Sequence, residues 1–184
     1  MESRFSESKE YLLESIHNAL DRFKLDDIKK TVDLLNESNQ IFVYGAGRSG
    51  LAGRMFAMRL MQLGLRAFFI GETITPAVKD GDCVLFVSKT GETQTAIQAA
   101  EIVSERVKAD IIVLTASPDS PLARYGDIIV KLDVENNEKD SYLAPLGTVF
   151  EDSAIIFLDA LIASVMDEIG ETEEGMKYRH PILV

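Results

Sequence analysis

The sequence predicts an α/β domain of the doubly wound kind: a parallel sheet of about five strands between two layers of helices, preceded by N-terminal helices. Three observations point there. From residue 41 onward, short β-rich runs alternate with longer helical patterns. Most of those runs, such as CVLFV and IIVLT, are continuously apolar, as strands buried on both faces of a parallel sheet are. The strand candidates are followed by turns rich in glycine and hydroxyl residues, at the end of the sheet where such folds bind ligands.

The elements follow in order. In YLLESIHNALDRF, Leu12, Leu13, Ile16, Leu20 and Phe23 recur at three- and four-residue steps, which predicts a first helix. A second runs through DDIKKTVDLLNES, with Ile28, Val32, Leu34 and Leu35 as its apolar stripe and Asp26 and Asp27 at its positive end. The predicted strands are Ile41 to Tyr44, Ala67 to Ile70, Cys83 to Val87, Ile111 to Thr115 and Ile128 to Leu132. Helices are expected over Ser49 to Leu63 and Thr93 to Val107, with a short turn near Pro121 to Tyr125 and a long apolar helix over Gly147 to Ile169. Asp133 to Tyr142 is expected to be a polar loop; it lacks the glycine and terminal glutamate of a calcium loop. The whole of 1–184 is expected to be one domain, with helices over 1–40, the α/β core over 41–170 and a tail over 171–184.

The 184 residues suffice for one sizeable core. No apolar run is long enough to cross a bilayer, and the first residues lack an apolar signal core, so a cytoplasmic protein is expected. A net charge of −11 disfavours nucleic acid and anionic membranes as partners, but not a small anion held by local donors. The single cysteine, Cys83, lies in an apolar run and is expected to be a buried structural thiol.

The first strand leads into Gly45-Ala46-Gly47-Arg48-Ser49-Gly50, a G-x-G-x-x-G pattern. It invites a dinucleotide reading, and Glu72 lies where a ribose-binding acid would fall. The motif alone is weak, and a second anion loop after the third strand would then have no use. That loop is Ser88-Lys89-Thr90-Gly91-Glu92-Thr93, running into a helix. Hydroxyls at Ser88, Thr90 and Thr93, a glycine that lets the backbone turn and a helix N-terminus together describe a phosphate cradle. It is not a Walker loop. The plain alternative is an ordinary hydroxyl N-cap.

The long apolar helix opens with Leu146-Gly147-Thr148-Val149-Phe150-Glu151-Asp152. A carboxylate in its first turn is pulled two ways, burial favouring its neutral form and the helix dipole its anion. Glu151 is therefore a candidate general base, with simple capping of the helix as the alternative. Of the two histidines, His17 reads as an ordinary helix residue and His180 as part of a tail that turns apolar again after Glu171 to Glu174. Such a tail is expected to dock on its own domain or a neighbour.

The succession GAGRSG, GETITP, Ser-x-Thr-Gly-Glu-Thr, Pro-Leu-Gly-Thr-x-Phe-Glu and a terminal Arg-His resembles the sugar isomerase (SIS) domain family, and within it the 6-phospho-3-hexuloisomerase group, over nearly the whole chain. The resemblance implies a flavodoxin-like strand order and interconversion of a 3-hexulose 6-phosphate with fructose 6-phosphate, with no metal or organic cofactor. It implies Ser88, Thr90 and Thr93, with Lys89 and Gly91 between them, as the phosphate loop. It implies Gly47, Arg48 and Ser49 as substrate contacts, Glu151 as the base, and His180 as a histidine reaching a site in its own or a neighbouring subunit of a tetramer. Two features depart from the family: Lys89 and Thr90 stand where a glycine and a serine are common, and Pro181 to Val184 replace a more polar ending.

This chemistry suits the residues. One carboxylate can move a proton between C2 and C3 through a cis-enediolate while Arg48 and loop N–H groups stabilise the oxyanion. Two other functions fit the same loops: a non-catalytic sugar-phosphate sensor, although no basic helix-turn-helix accompanies it, and an isomerase for an aldose–ketose pair such as arabinose phosphate. The physiological setting implied is either formaldehyde fixation or pentose supply.

Overall fold

The computed structural model describes residues 2–181; the apolar end of the tail, Ile182 to Val184, lies outside them. Two helices come first, α1 (Glu2–Leu20) and α2 (Leu25–Glu37). The α/β part then runs β1 (Ile41–Gly45), α3 (Gly47–Gln62), β2 (Ala67–Phe69), β3 (Cys83–Val87), α4 (Gln94–Ile102), β4 (Asp110–Thr115) and β5 (Ile128–Lys131). A short α5 (Asp140–Leu143), the long α6 (Thr148–Glu168) and α7 (Glu173–Tyr178) complete it. The five strands are all parallel, in the order β2-β1-β3-β4-β5.

The strands alternate even though their sequences do not. Val43, Cys83, Leu85, Val87, Ile112 and Leu114 face one way, into a cluster with Phe56 and Leu60 of α3 and Phe150, Ala154 and Leu158 of α6. Phe42, Val84, Phe86, Ile111 and Val113 face the other way, against Ala96 and Ala100 of α4. Both faces are covered, so each strand reads as an unbroken apolar run. Truncating a buried ring such as Phe42 or Phe150 would cost about 3–5 kcal/mol.

Several expectations are refined. The helix predicted to end at Val107 is α-helical to Ile102 and then widens into a π turn, Val103–Val107, closed by Lys108 at φ 67. In α1, Leu13 faces solvent and Ala19 takes the buried position, because the helix docks along one narrow seam. Phe23 lies past the end of α1 and packs edge-on against Phe157, ring centroids 6.1 Å apart.

The expected polar loop Asp133 to Tyr142 is not irregular throughout: α5 begins inside it. The Asn137 side chain accepts from Lys139 N–H (2.9 Å) and the Asp140 side chain from Asn137 N–H (3.1 Å), a turn that nucleates the helix. In the acidic stretch after residue 170, the hydroxyl of Thr172 accepts from Gly175 N–H at 3.2 Å and starts α7.

Candidate functional site

The loops after β1 and β3, the segment after β4 and the start of α6 meet at the carboxyl edge of the sheet. The first loop turns tightly because of its glycines. A Cβ on Gly50 would lie 2.3 Å from the Gly45 carbonyl oxygen, and one on Gly53 would lie 2.9 Å from Val43 Cγ1. These glycines let α3 press on β1, so the simple packing explanation of the motif holds for Gly45 and Gly50, with Gly53 beyond the motif doing the same. Gly47 is different: it has φ +55, and a Cβ there would meet nothing within 4 Å, so this glycine serves the left-handed turn and not close packing.

Arg48 follows and reaches across to α6. Its guanidinium donates to Glu151 and, at 3.2 Å, to Asp152 Oδ1. The Glu151 side chain is only 13% exposed while Arg48 keeps 53%, so the carboxylate is sunk and the arginine covers it. Phe150 and Ala154, on the adjacent face of the helix, are fully buried and anchor this first turn. The turn itself is unusual: Leu146 (φ 61) and Gly147 (φ 94) are both left-handed, and Thr148 Oγ1 donates to Pro145 O at 2.7 Å.

The third loop builds a hollow beside this pair. A cavity of about 130 Å³ is lined by Ala46 and Ser49 from the first loop and by Ser88, Lys89, Thr90 and Thr93 from the third. Ser88 is buried, and its hydroxyl accepts from Gly91 N–H at 3.2 Å. Gly91 has φ +62, and a side chain there would run into Ser120, which holds the loop against the segment after β4. Tyr44 Oη donates to Thr95 Oγ1 at 2.9 Å, tying β1 to the first turn of α4.

Thr93 precedes α4, yet its side chain makes no capping bond, so the N-cap explanation fails for this residue. At the starts of α3 and α6 stand Ala46 and Gly147, which have no capping side chain to offer, and in α6 Thr148 N–H bonds Pro145 O. Three helices thus open at this edge with first-turn N–H groups that no capping side chain has taken. Such groups are donors for an anion. A hollow of this size has room for roughly four waters. That suits a phosphate group, and a wider opening of about 490 Å³ adjoins the hollow at Thr90, between the third loop and Ser117 to Pro121.

Glu72, the acid a dinucleotide would need, is held by Arg54, whose guanidinium also lies 4.0 Å over the Phe69 ring. A larger cavity of about 360 Å³ lies between α1 and the segment after β5, but its Arg22 and Asp133 already pair with each other at 3.2 Å. The converging hydroxyls and open helix ends make the smaller hollow the candidate site.

The structure therefore brings together Gly47, Arg48, Ser49, Ser88, Lys89, Thr90, Gly91, Thr93 and Glu151. His180 is not among them. Arg179 donates to Gln62 O at 2.7 Å and pairs with Glu171, which seats the tail at the far end of α3. Fourteen residues of helix, about 21 Å, separate Gln62 from Arg48. Asp152 and the Leu146–Gly147 turn were not singled out from sequence as site residues. The only signal for Asp152 was its place next to Glu151 in a helix-opening motif. Among the described residues, no group of three His, Cys, Asp or Glu side chains is arranged to hold a metal ion, and no helix is long and apolar enough to cross a membrane.

Comparison with known proteins bears on the family and the fold. An uncharacterized protein of Methanothermobacter thermautotrophicus is 37% identical, over 90% of this chain and 89% of its own. The Bacillus subtilis protein named 3-hexulose-6-phosphate isomerase is 33% identical, over 92% of this chain and 93% of its own. A Methanococcus jannaschii crystal structure, for which a function of 3-hexulose-6-phosphate isomerase was inferred, superposes with a TM-score of 0.86 at 30% identity, covering 97% of this chain and 99% of that one. The SIS domain model matches residues 34–159, from the end of α2 to the middle of α6, a span that contains every site residue gathered at the carboxyl edge. By that match, and by relatives aligned along nearly its full length, the chain belongs to the SIS domain family.

Proposed function

We propose that the protein is a 6-phospho-3-hexuloisomerase, interconverting D-arabino-hex-3-ulose 6-phosphate and D-fructose 6-phosphate. The observation that carries this reading is the sunken carboxylate of Glu151, held by Arg48 beside a hydroxyl-lined hollow of phosphate size. The phosphate sits among Ser88, Lys89, Thr90, Thr93 and the first-turn N–H groups of α4. The sugar then extends over Gly47, Arg48 and Ser49 towards Glu151.

In the direction of fructose 6-phosphate, Glu151 takes the C2 proton, which is acidified by the C3 carbonyl. The electron pair forms the C2–C3 double bond and the C3 oxygen becomes the oxyanion. Arg48 and loop N–H groups stabilise that charge. Glu151 then returns the proton to C3, the O2 hydroxyl proton passes to O3, and a carbonyl is left at C2. No electrons leave the substrate, so the reaction needs no redox partner. Arg48 and the substrate compete for Glu151, so the arginine moves from the carboxylate to the substrate oxygens as the sugar enters.

His180 acts on a substrate oxygen in a neighbouring subunit's site, consistent with the docking of its neighbour Arg179 on Gln62, about 21 Å of helix from Arg48 in the same chain. The outer face of α3 supports an oligomer: Leu51, Met55 and Met58 are 60%, 44% and 45% exposed at helical spacing. Two copies packing this face antiparallel about a twofold axis would set the His180 end of one α3 beside the Arg48 end of the other.

Product analysis across fructose 6-phosphate, hex-3-ulose 6-phosphate and arabinose 5-phosphate in deuterated water tests the proposal. Deuterium entering C3 of fructose 6-phosphate, with the 3-ulose as product, is the expected result. Binding without exchange would make the protein a sensor, and turnover of arabinose 5-phosphate alone would replace the substrate.

A further inference from the structure

We infer that Lys89 is a positioning residue that couples capture of the phosphate to the placement of Glu151. This rests on the sugar-phosphate reading of the site and adds a role that the phosphate loop does not need for binding alone.

Lys89 is fixed at both ends. Its backbone carbonyl accepts from Thr115 Oγ1 and from Ala116 N–H, each at 3.1 Å, which pins the residue to the end of β4. Its half-buried side chain lines the hollow beside Ser88, Thr90 and Thr93. The two nearby acids of α6 are taken by Arg48, and among the described residues Lys89 forms no ion pair. In a chain of net charge −11, a lysine without an ion pair that lines a hydroxyl-rich hollow is a ready ligand for a dianion.

The stem of the same side chain does something further. A Cβ on Gly147 would lie 3.4 Å from Lys89 Cδ, so the methylenes rest on the turn that starts α6. Thr148 Oγ1, which donates to Pro145 O at 2.7 Å, and the buried Phe150 hold the C-terminal side of that turn, and Lys89 adds a contact at Gly147. Leu146 is left-handed and 97% exposed, and left-handed backbone is costly for a residue with a side chain. Glu151 lies four residues beyond Gly147. When a phosphate binds the ammonium, the stem is immobilised against Gly147 and the turn is held in the form that presents Glu151. Binding energy from the unreactive end of the substrate is thereby spent at the reacting end. A glycine at position 89 could supply backbone donors but no such brace.

The test replaces Lys89 with Met, which keeps a stem of similar length without charge, and with Arg, which keeps the charge; Lys89→Gln serves as a second neutral variant should Met perturb folding. Two readouts are taken: kcat and KM for fructose 6-phosphate, and amide hydrogen exchange of residues 148–153 with and without inorganic phosphate. In the wild type, phosphate should slow exchange in that turn. Lys89→Met should lose this protection, raise KM by roughly 10- to 100-fold, the range for losing a charged donor, and lower kcat by roughly 10-fold. Lys89→Arg should keep the protection and most of kcat. A raised KM with unchanged kcat and unchanged protection would make Lys89 a plain phosphate ligand and overturn the coupling. No change in any of these would leave it a surface residue and overturn it as well. Exchange protection does not depend on turnover, so it decides the coupling even if the protein isomerises no hexulose phosphate.

Discussion

At the amino-terminal edge of the sheet several charged groups are paired within the fold, although among the described residues the buried side-chain amide of Asn36 and Nε2 of Gln62 have no partner there; at the carboxyl edge three helix N-termini are left without a capping side chain. Below β3, Asp82 accepts from Lys79 N–H at 2.8 Å, and below β5, Asp127 accepts from Ile111 N–H at 2.8 Å. Gln40 accepts from Arg66 at 3.2 Å, and Arg179 closes the last turn of α3. At the other edge α3, α4 and α6 start with no capping side chain, and Lys89 forms no ion pair among the described residues. An unmade hydrogen bond costs stability, so a row of them at one edge is where a ligand is expected to supply the partners. Substitutions at the carboxyl edge should therefore act on turnover and binding, and those at the amino edge on stability.

The largest expected effect is that of Glu151→Gln. Removing the base should lower kcat by roughly 10³-fold, within the range for general bases. Affinity for fructose 6-phosphate, measured by calorimetry, should change little, and so should the melting temperature, because the amide oxygen of a glutamine still accepts from the half-exposed Arg48 guanidinium. Turnover near that of the wild type would remove Glu151 from the mechanism.

The first-loop glycines are the exception that sharpens the contrast. Gly50→Ala forces a Cβ onto the Gly45 carbonyl at 2.3 Å, backbone against backbone. It should cost about 3 kcal/mol in chemical denaturation. Gly47→Ala meets no atom within 4 Å and should cost only about 1 kcal/mol for its left-handed backbone. Equal losses at the two positions would mean that the loop is not built by strand-to-helix packing.

What could be foreseen from sequence follows the same division. Cys83 to Val87 was legible to the residue because burial on both faces leaves no polar interruption. The hydroxyl-lined loop Ser88 to Thr93 was legible because its hydroxyls, its glycine and the helix after it are neighbours in the chain. The contact of Arg48 with Glu151 was not, since 103 positions separate them and no local period records the meeting. Those two residues were linked only through resemblance to a family. Helix α5 escaped because four residues carry no apolar period, and a turn at Asn137 and Asp140 starts it. Helix α7 hid in an acidic stretch for the same reason: the cap at Thr172 and the pairing of Arg179 with Glu171 hold it, rather than an amphipathic face.

Thr93→Val gives a smaller and more discriminating test at the carboxyl edge. If the hydroxyl were an N-cap, its loss would destabilise α4 by about 1 kcal/mol. It caps nothing, so the melting temperature should hold while KM for the sugar phosphate rises by roughly 10-fold. The reverse pattern would return Thr93 to a structural role. Cys83 offers a control at the opposite edge: burial pushes its thiol well up, so thiol reagents should react with it only after unfolding.

The smallest effect belongs to Asp110, at the amino edge beside acids that the backbone has already satisfied. Burial first, then the charges of Asp127 and Asp80, raise its carboxyl above the ordinary value. A raised carboxyl means that the folded state holds its proton more tightly than the unfolded state. Below about pH 3 both states are protonated and nothing is lost. As pH rises through about 4 and beyond, the unfolded chain ionises first and stability falls, with the full penalty present at neutral pH. Asp110→Asn should remove that penalty. Its melting temperature should exceed the wild type's by about 1 °C at about pH 7, less in high salt, and match it at about pH 3. Turnover should not change, because Asp110 lies at the far end of β4 from the hollow. A drop in stability at neutral pH would show that the Asp110 carboxylate is held by the fold as Asp82 and Asp127 are, and would extend the closed edge by one more residue.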